Sequence, residues 1–446
     1  MASYIDNRRK GAFRAALPAV GLICVLAHGT AHAAGKEESA LPDLKNIPVA
    51  DQTTLSLGGE FRERAEAASH PEFGREGVGG NSYLLQRATV SAELESHDML
   101  RAFLQLGSWV SAGRRPEHAA TDDDGLDVAQ AYVDLHTSVD GWKAGLQPGR
   151  QEITFGASRL FSVRNSPNIR RSFDAVRGYV AGDGTRVDVF AARPVSLTDG
   201  AFDNESDNHQ RVFGAYATLP VVGMKTDLYY VDYARDNAKF SQGTASEARR
   251  TIGARLYGRG GGFDWDVEGD WQFGSFGADD IGAWMVATNT GYTFETVAWT
   301  PRLGLKTDIA SGDRNASDGR LGTFNAMYPK LKAFSEAALV APANLINLQP
   351  VATVKPAKGL TLLASWGLLW RETTADGFYT SPMTPVANTT GGDRYIGNQA
   401  ELAAEWSPTP WLDLGIWYVH FTAGDTIEKA GGRDEDYIAL SSSLHF

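Results

Sequence analysis

The 446-residue chain is 43% hydrophobic and 22% charged, with 48 Gly, 10% aromatics and a single Cys. Apolar residues run along its whole length, which excludes long disorder. No uncharged apolar run reaches the ~18 residues that a helix needs to cross hydrocarbon, so any membrane span must be built from strands. Its 42 Lys+Arg against 54 Asp+Glu leave a net charge of -12, which argues against nucleic acid as a partner.

The chain opens on Arg8, Arg9, Lys10 and Arg14, continues through an apolar stretch from Ala15 to Ala27 and reaches the small-x-small site Ala31-His32-Ala33. That order reads as a secretory signal peptide over residues 1–33, with cleavage expected after Ala33. Cys24 lies inside it, so the exported chain has no thiol and must be held by other means, such as hydrogen-bonded strands closing on themselves. Loss of the leader removes four basic residues and one acidic residue and moves the net charge to -15. Residues 34–52 read as a periplasmic N-terminal segment and 53–446 as one strand-built domain.

From residue 53 onward the sequence breaks into segments of roughly ten residues with period-2 alternation, separated by Gly, Asp, Asn and Pro clusters. Between Tyr83 and Glu95, Leu84, Ala88, Val90, Ala92 and Leu94 alternate with Arg87, Thr89, Ser91, Glu93 and Glu95. Farther on, Trp265, Val267, Gly269, Trp271 and Phe273 alternate with Asp264, Asp266, Glu268, Asp270 and Gln272. A soluble sandwich also alternates. Full charges in mid-strand on one parity, with small and aromatic residues on the other, instead suit a wall with lipid outside and water inside. Trp residues such as Trp109, Trp142, Trp299, Trp366, Trp406 and Trp417 are expected in the interfacial girdle. The last segment puts Ile438, Leu440, Leu444 and terminal Phe446 on one parity. The fold expected is therefore all-β, a transmembrane antiparallel β-barrel of about 18 strands in the bacterial outer membrane. Long loops are predicted at Arg114 to Gly125, Thr198 to Gln210 and Ser311 to about Gln349, the last a candidate lumen-folded constriction.

Several stretches together resemble the alginate export family of bacterial outer-membrane porins. They are Leu84-Leu85-Gln86-Arg87, Gly149-Arg150-Gln151-Glu152, the run from Arg164 to Asp174, Gly319 to Asn325, and His420-Phe421-Thr422-Ala423-Gly424-Asp425. The family commonly has Gly where Ser166 stands and a second Phe where Thr422 stands. The resemblance implies an 18-stranded barrel with an Arg-lined, anion-selective pore, through which the best-known members release the polyuronate alginate. It also implies a periplasmic export scaffold as a partner.

Thirty of the 42 basic residues are Arg, whose planar fork matches carboxylates. On the polar parity, Arg87, Arg101, Arg255, Arg259, Arg302, Lys306 and Arg371 are expected to point into the lumen, while Arg150, Arg164, Arg170, Arg171 and Arg177 lie in or beside the family-like stretches. Rings of basic side chains select anions by replacing part of their hydration. Carboxylates such as Glu93, Asp134, Asp264 and Asp266 share the same parity, so cross-strand ion pairing that only braces the wall is the competing expectation. No G-x-S-x-G, H-E-x-x-H or P-loop spacing occurs, the His residues are scattered, and neither Asp122-Asp123-Asp124 nor Asp313-Arg314-Asn315 has calcium-loop spacing. No catalytic residue, cofactor or metal is expected. The function expected is a passive, monomeric channel, in contact with outer-membrane lipid, that exports an anionic polysaccharide such as alginate. Uptake of small organic acids or oligosaccharides is the alternative, and an enzymatic or purely structural barrel ranks below both.

Overall fold

The computed structural model describes residues 44–446, apart from residues 76, 78, 116–118 and 222. The expected signal peptide at 1–33 lies outside the described residues, as does most of the segment at 34–52. What is described of that segment includes a short strand, Ile47–Ala50, that pairs antiparallel with the first wall strand.

Eighteen strands form the wall. They are β1 (Thr53–Ala68), β2 (Asn81–Ser96), β3 (Leu100–Ala112), β4 (Asp124–Val139), β5 (Trp142–Gln151) and β6 (Phe173–Gly182). There follow β7 (Thr185–Ser196), β8 (Gln210–Val221), β9 (Met224–Phe240), β10 (Gly243–Gly260), β11 (Phe263–Phe276) and β12 (Asp279–Thr293). The last are β13 (Arg302–Ala310), β14 (Leu345–Ala357), β15 (Leu360–Trp370), β16 (Tyr395–Thr409), β17 (Leu412–Ala423) and β18 (Glu435–His445). Each pairs antiparallel with the next in sequence, and β1 pairs with β18 from Glu60↔His445 to Ala68↔Tyr437, which closes the sheet. Closure leaves no edge strand and satisfies the backbone within hydrocarbon.

The alternation read from the sequence is the wall's inside-out chemistry. Ile252 and Trp271 are 48% and 44% exposed on the outer face, whereas their neighbours Thr251 and Gln272 are fully buried on the inner one. Trp142, Trp299, Trp366 and Trp406 are exposed. Trp109 and Trp417 depart from the expected girdle. Trp109 shares the parity of Arg101 and Gln105 and is buried, while Trp417 lies under the charged groups of Arg64 and Lys332, 5.2 and 5.3 Å from its ring.

Connections differ at the two ends. At the end where β1 begins and β18 finishes they are mostly tight turns, such as Asp140-Gly141 and Asp183-Gly184, whose residues all have positive φ. This is the mirror-image turn that matches strand twist, and Asp-Gly favours it. At the other end run the long connections 69–80, 113–123, 152–172, 197–209, 311–344, 371–394 and 424–434. Short turns face the periplasm and long loops the exterior in bacterial barrels, which orients the chain. The connections 69–80, 152–172, 371–394 and 424–434 are not among the predicted loops, and the last predicted loop ends at residue 344 because β14 begins at Leu345.

Candidate functional site

The lumen is occupied by two of the long connections, 152–172 and 311–344, which bind each other. Phe161 and Tyr328 form a parallel bridge, the Ser162 amide donates to Tyr328 O at 2.9 Å, and the Tyr328 and Lys330 amides donate to Leu160 O and Ser158 O at 3.0 and 2.9 Å. Around this bridge aromatic rings pack as in a soluble core. Tyr328 lies 5.6 Å from Phe161 and edge-on to Phe173 and Tyr233 at 5.1 and 5.7 Å. Phe155 stacks on Tyr216 of β8 at 4.7 Å, which fixes the joined loops to the wall.

The Arg residues named from the sequence divide by what neutralises them. Arg87 of β2 is fully buried and donates to the carbonyls of Asn165, Pro167 and Asn168 and to Asn165 Oδ1, with Glu60 at 3.3 Å. It therefore holds the 165–168 bend against the wall. Arg101 pairs with Glu93 at 2.7 Å, Arg170 with Glu152 at 2.7 Å, Arg177 with Asp188 at 2.8 Å and Arg302 with Asp264 at 2.8 Å. Arg255 reaches Asp227 and Asp266 at 3.0 Å. Arg150 pairs with Asp174 at 2.8 Å and borders a groove shared with the exposed Val176 and Phe213. Lys306 donates to Ala333 O, lies 3.9 Å from Asp308 and sits over the Phe334 ring at 4.5 Å. Arg371 is fully buried and gives its protons to carbonyls of its own connection, including Asp376 O at 3.0 Å and Gly391 O at 2.5 Å, which ties that loop shut. Arg259 is exposed near the tight-turn end of β10.

Arg164 and Arg171 are different. Arg164 Nε donates to Pro329 O at 3.1 Å, and the Arg171 guanidinium lies over the Tyr328 ring at 5.0 Å. Neither has a carboxylate within ion-pairing distance among the described residues. Burial holds both guanidinium groups below their ordinary range, and for Arg164 the charge of Arg171 adds to the effect. Arg164 is also held at φ +55, a left-handed backbone that turns the chain toward the second loop.

Both line a cavity of about 90 Å³ between the 152–172 connection and the wall, together with Glu60, Arg87, Glu152 and Arg170. The four Arg outnumber the two Glu, and burial raises the Glu152 carboxyl above its usual range despite nearby Arg170 and Arg87. Sequence reasoning missed Arg62 and Arg64 of β1. Arg62 donates to Asn165 O at 2.6 Å and Pro167 O at 3.0 Å beside Arg87, and Arg64 pairs with Glu336 at 2.7 Å. Their alternation with Phe61 and Ala65 carries the same signal as that of Arg87, but the charged Glu63 on the apolar parity breaks it.

A closed 18-stranded barrel, apolar outside and charged within, defines an outer-membrane porin. The chain belongs to the alginate export family, whose model, described as alginate export, matches residues 53–441. It is accordingly a bacterial outer-membrane protein with the family and fold of channels rather than enzymes. No curated protein matches the chain closely enough to count as a relative. Among solved structures, Pseudomonas aeruginosa OccK11 (OpdR) is 12% identical with a TM-score of 0.56, over 89% of this chain and 96% of that one. P. aeruginosa OccK2 (OpdF) in complex with glucuronate is 11% identical with a TM-score of 0.57, over 88% and 98%. OpdK of the same organism, with vanillate, is 10% identical with a TM-score of 0.54, over 87% and 98%. At such identities these likenesses show the shared barrel alone.

Proposed function

We propose that the protein is a passive, anion-selective channel for carboxylate-bearing solutes of the uronate class, with polymeric alginate as the cargo to which the family description points. The observation that carries this reading is the pair formed by buried Arg164 and half-buried Arg171 at the cavity, whose charge no carboxylate among the described residues answers. A carboxylate entering the cavity gains charge-assisted hydrogen bonds from donors already desolvated, and the surrounding Arg residues supply successive weaker sites from which it can move on. The paired Arg residues of the wall set the shape of this path and add little net charge to it. Glucuronate in the OccK2 structure supports the same solute chemistry. On this reading the leader at 1–33 serves export, and a periplasmic scaffold delivers the polymer.

The interlocked loops favour a second reading, in which small organic acids or oligosaccharides enter one at a time. Planar-bilayer recording of the refolded protein tests both. Anion preference that falls in Arg171→Gln and Arg164→Gln supports the channel reading, and unchanged reversal potentials in both variants would sink it. Block by polyuronate favours export of the polymer, whereas block by glucuronate alone favours the small solute.

A further inference from the structure

We infer that the extracellular rim holds a divalent cation, Ca²⁺ in preference to Mg²⁺, between Asp124 and Asp127 of β4 and Asp203 of the 197–209 connection. One carboxylate oxygen from each of the three lies within 4.8 Å of the others. Asp124 and Asp127 are only 3% and 2% exposed, so this is not a solvated acidic turn. Asp124 Oδ1 is enclosed without a hydrogen-bond donor, while its Oδ2 takes Asn204 Nδ2 at 2.6 Å. Asp127 Oδ2 accepts the amides of Asp203 and Asn204 at 2.9 and 3.1 Å. The nearest cation to Asp127, Arg150, stands 3.7 Å away and is already committed to Asp174 at 2.8 Å.

Three carboxylates gathered this way, one with an orphaned buried oxygen, are costly unless a cation joins them. All the donors are hard oxygens, and they come from a strand and a loop in irregular array. That suits the adaptable coordination of Ca²⁺ better than the strict octahedron of Mg²⁺. The backbone makes room for the arrangement, since a Cβ at Gly125 would collide with Gly200 O and one at Gly200 would collide with the Asp203 carboxylate. A bound ion pins the 197–209 connection to β4. Leu197 and Asn204 of that connection also line the cavity beside Arg171, so the ion braces one side of the proposed anion path.

The test is calorimetric titration of CaCl₂ into the refolded full chain after treatment with EDTA, with MgCl₂ as the comparison. One Ca²⁺ per chain is expected, with a Kd of about 0.1–1 mM, as in extracellular sites. Ca²⁺ should also protect residues 197–209 from proteolysis. Asp203→Asn, at an exposed position, and Asp124→Asn should each weaken uptake about tenfold or more while a heat-resistant barrel still migrates on gels. No saturable uptake, or uptake unchanged in both variants, overturns the proposal. Neither result bears on anion selectivity, which the Arg164 and Arg171 variants read separately.

Discussion

Arg87 and Arg171 carry the same guanidinium into the same cavity, and their surroundings give them opposite uses. Arg87 spends every donor on the 165–168 bend and on Glu60, so Arg87→Ala deprives Asn168 O, Asn165 Oδ1 and the Glu60 carboxylate of a donor at once, while Arg62 still holds the Asn165 and Pro167 carbonyls. A cost of about 3–5 kcal/mol is expected, the range for breaking a buried ion pair from one side. Faster proteolytic cutting within 152–172 under otherwise native conditions would reveal it. Glu152 supports a second prediction. Its carboxyl is held above the usual range, so it takes up a proton early as pH falls and cancels one of the two negative charges in the cavity. Anion preference should therefore rise on acidification, and Glu152→Gln should hold it high and flatten that response in reversal-potential measurements across pH. Residue-scale roles were only partly legible in the sequence. Parity tells which Arg face inward, but whether a carboxylate answers them depends on loops. Arg159 meets Asp266 at 2.9 Å across a sequence distance that no local pattern spans.

At the scale of elements, strands and loops differed in how plainly they could be read. A wall strand touches lipid on one side and the polar interior on the other, so its two chemistries alternate residue by residue, and β2 and β11 could be traced almost from end to end. A loop that turns into the lumen obeys no such period. The 152–172 connection carries Phe155, Leu160, Phe161 and Ile169 as buried residues among its charges, and nothing in that order announces a loop. Its partner is legible only in three dimensions, because Phe161 and Tyr328 meet across the lumen. Tyr328→Ala removes the ring that touches Phe161, Phe173 and Tyr233, at an expected cost of about 3–5 kcal/mol, as for other large buried aromatics. The two loops should then part, and single-channel conductance should rise. Phe161→Ala should raise it similarly, and the double variant should add less than the sum, since both break one contact.

For the whole molecule, closure is the decisive event, and its seam extends past the β1–β18 ladder to the terminal residue. The Gly59 amide donates to Phe446 O at 3.1 Å and the Phe446 amide to Gly59 O at 3.2 Å, and a Cβ at Gly59 would overlap the Phe446 ring. Gly59→Val should slow closure, seen as a longer-lived heat-sensitive band when refolding is followed by electrophoresis. The wall and its contents are held by different solvents. Lipid fixes the outer face, whereas the aromatic cluster inside is stabilised against water, as a small globular core would be. Urea solvates apolar and peptide groups from the aqueous side, so it attacks the interior first. Such a protein is expected to unfold as two cooperative units, with hydrogen exchange finding the inner loops open at a lower denaturant concentration than the strands that enclose them.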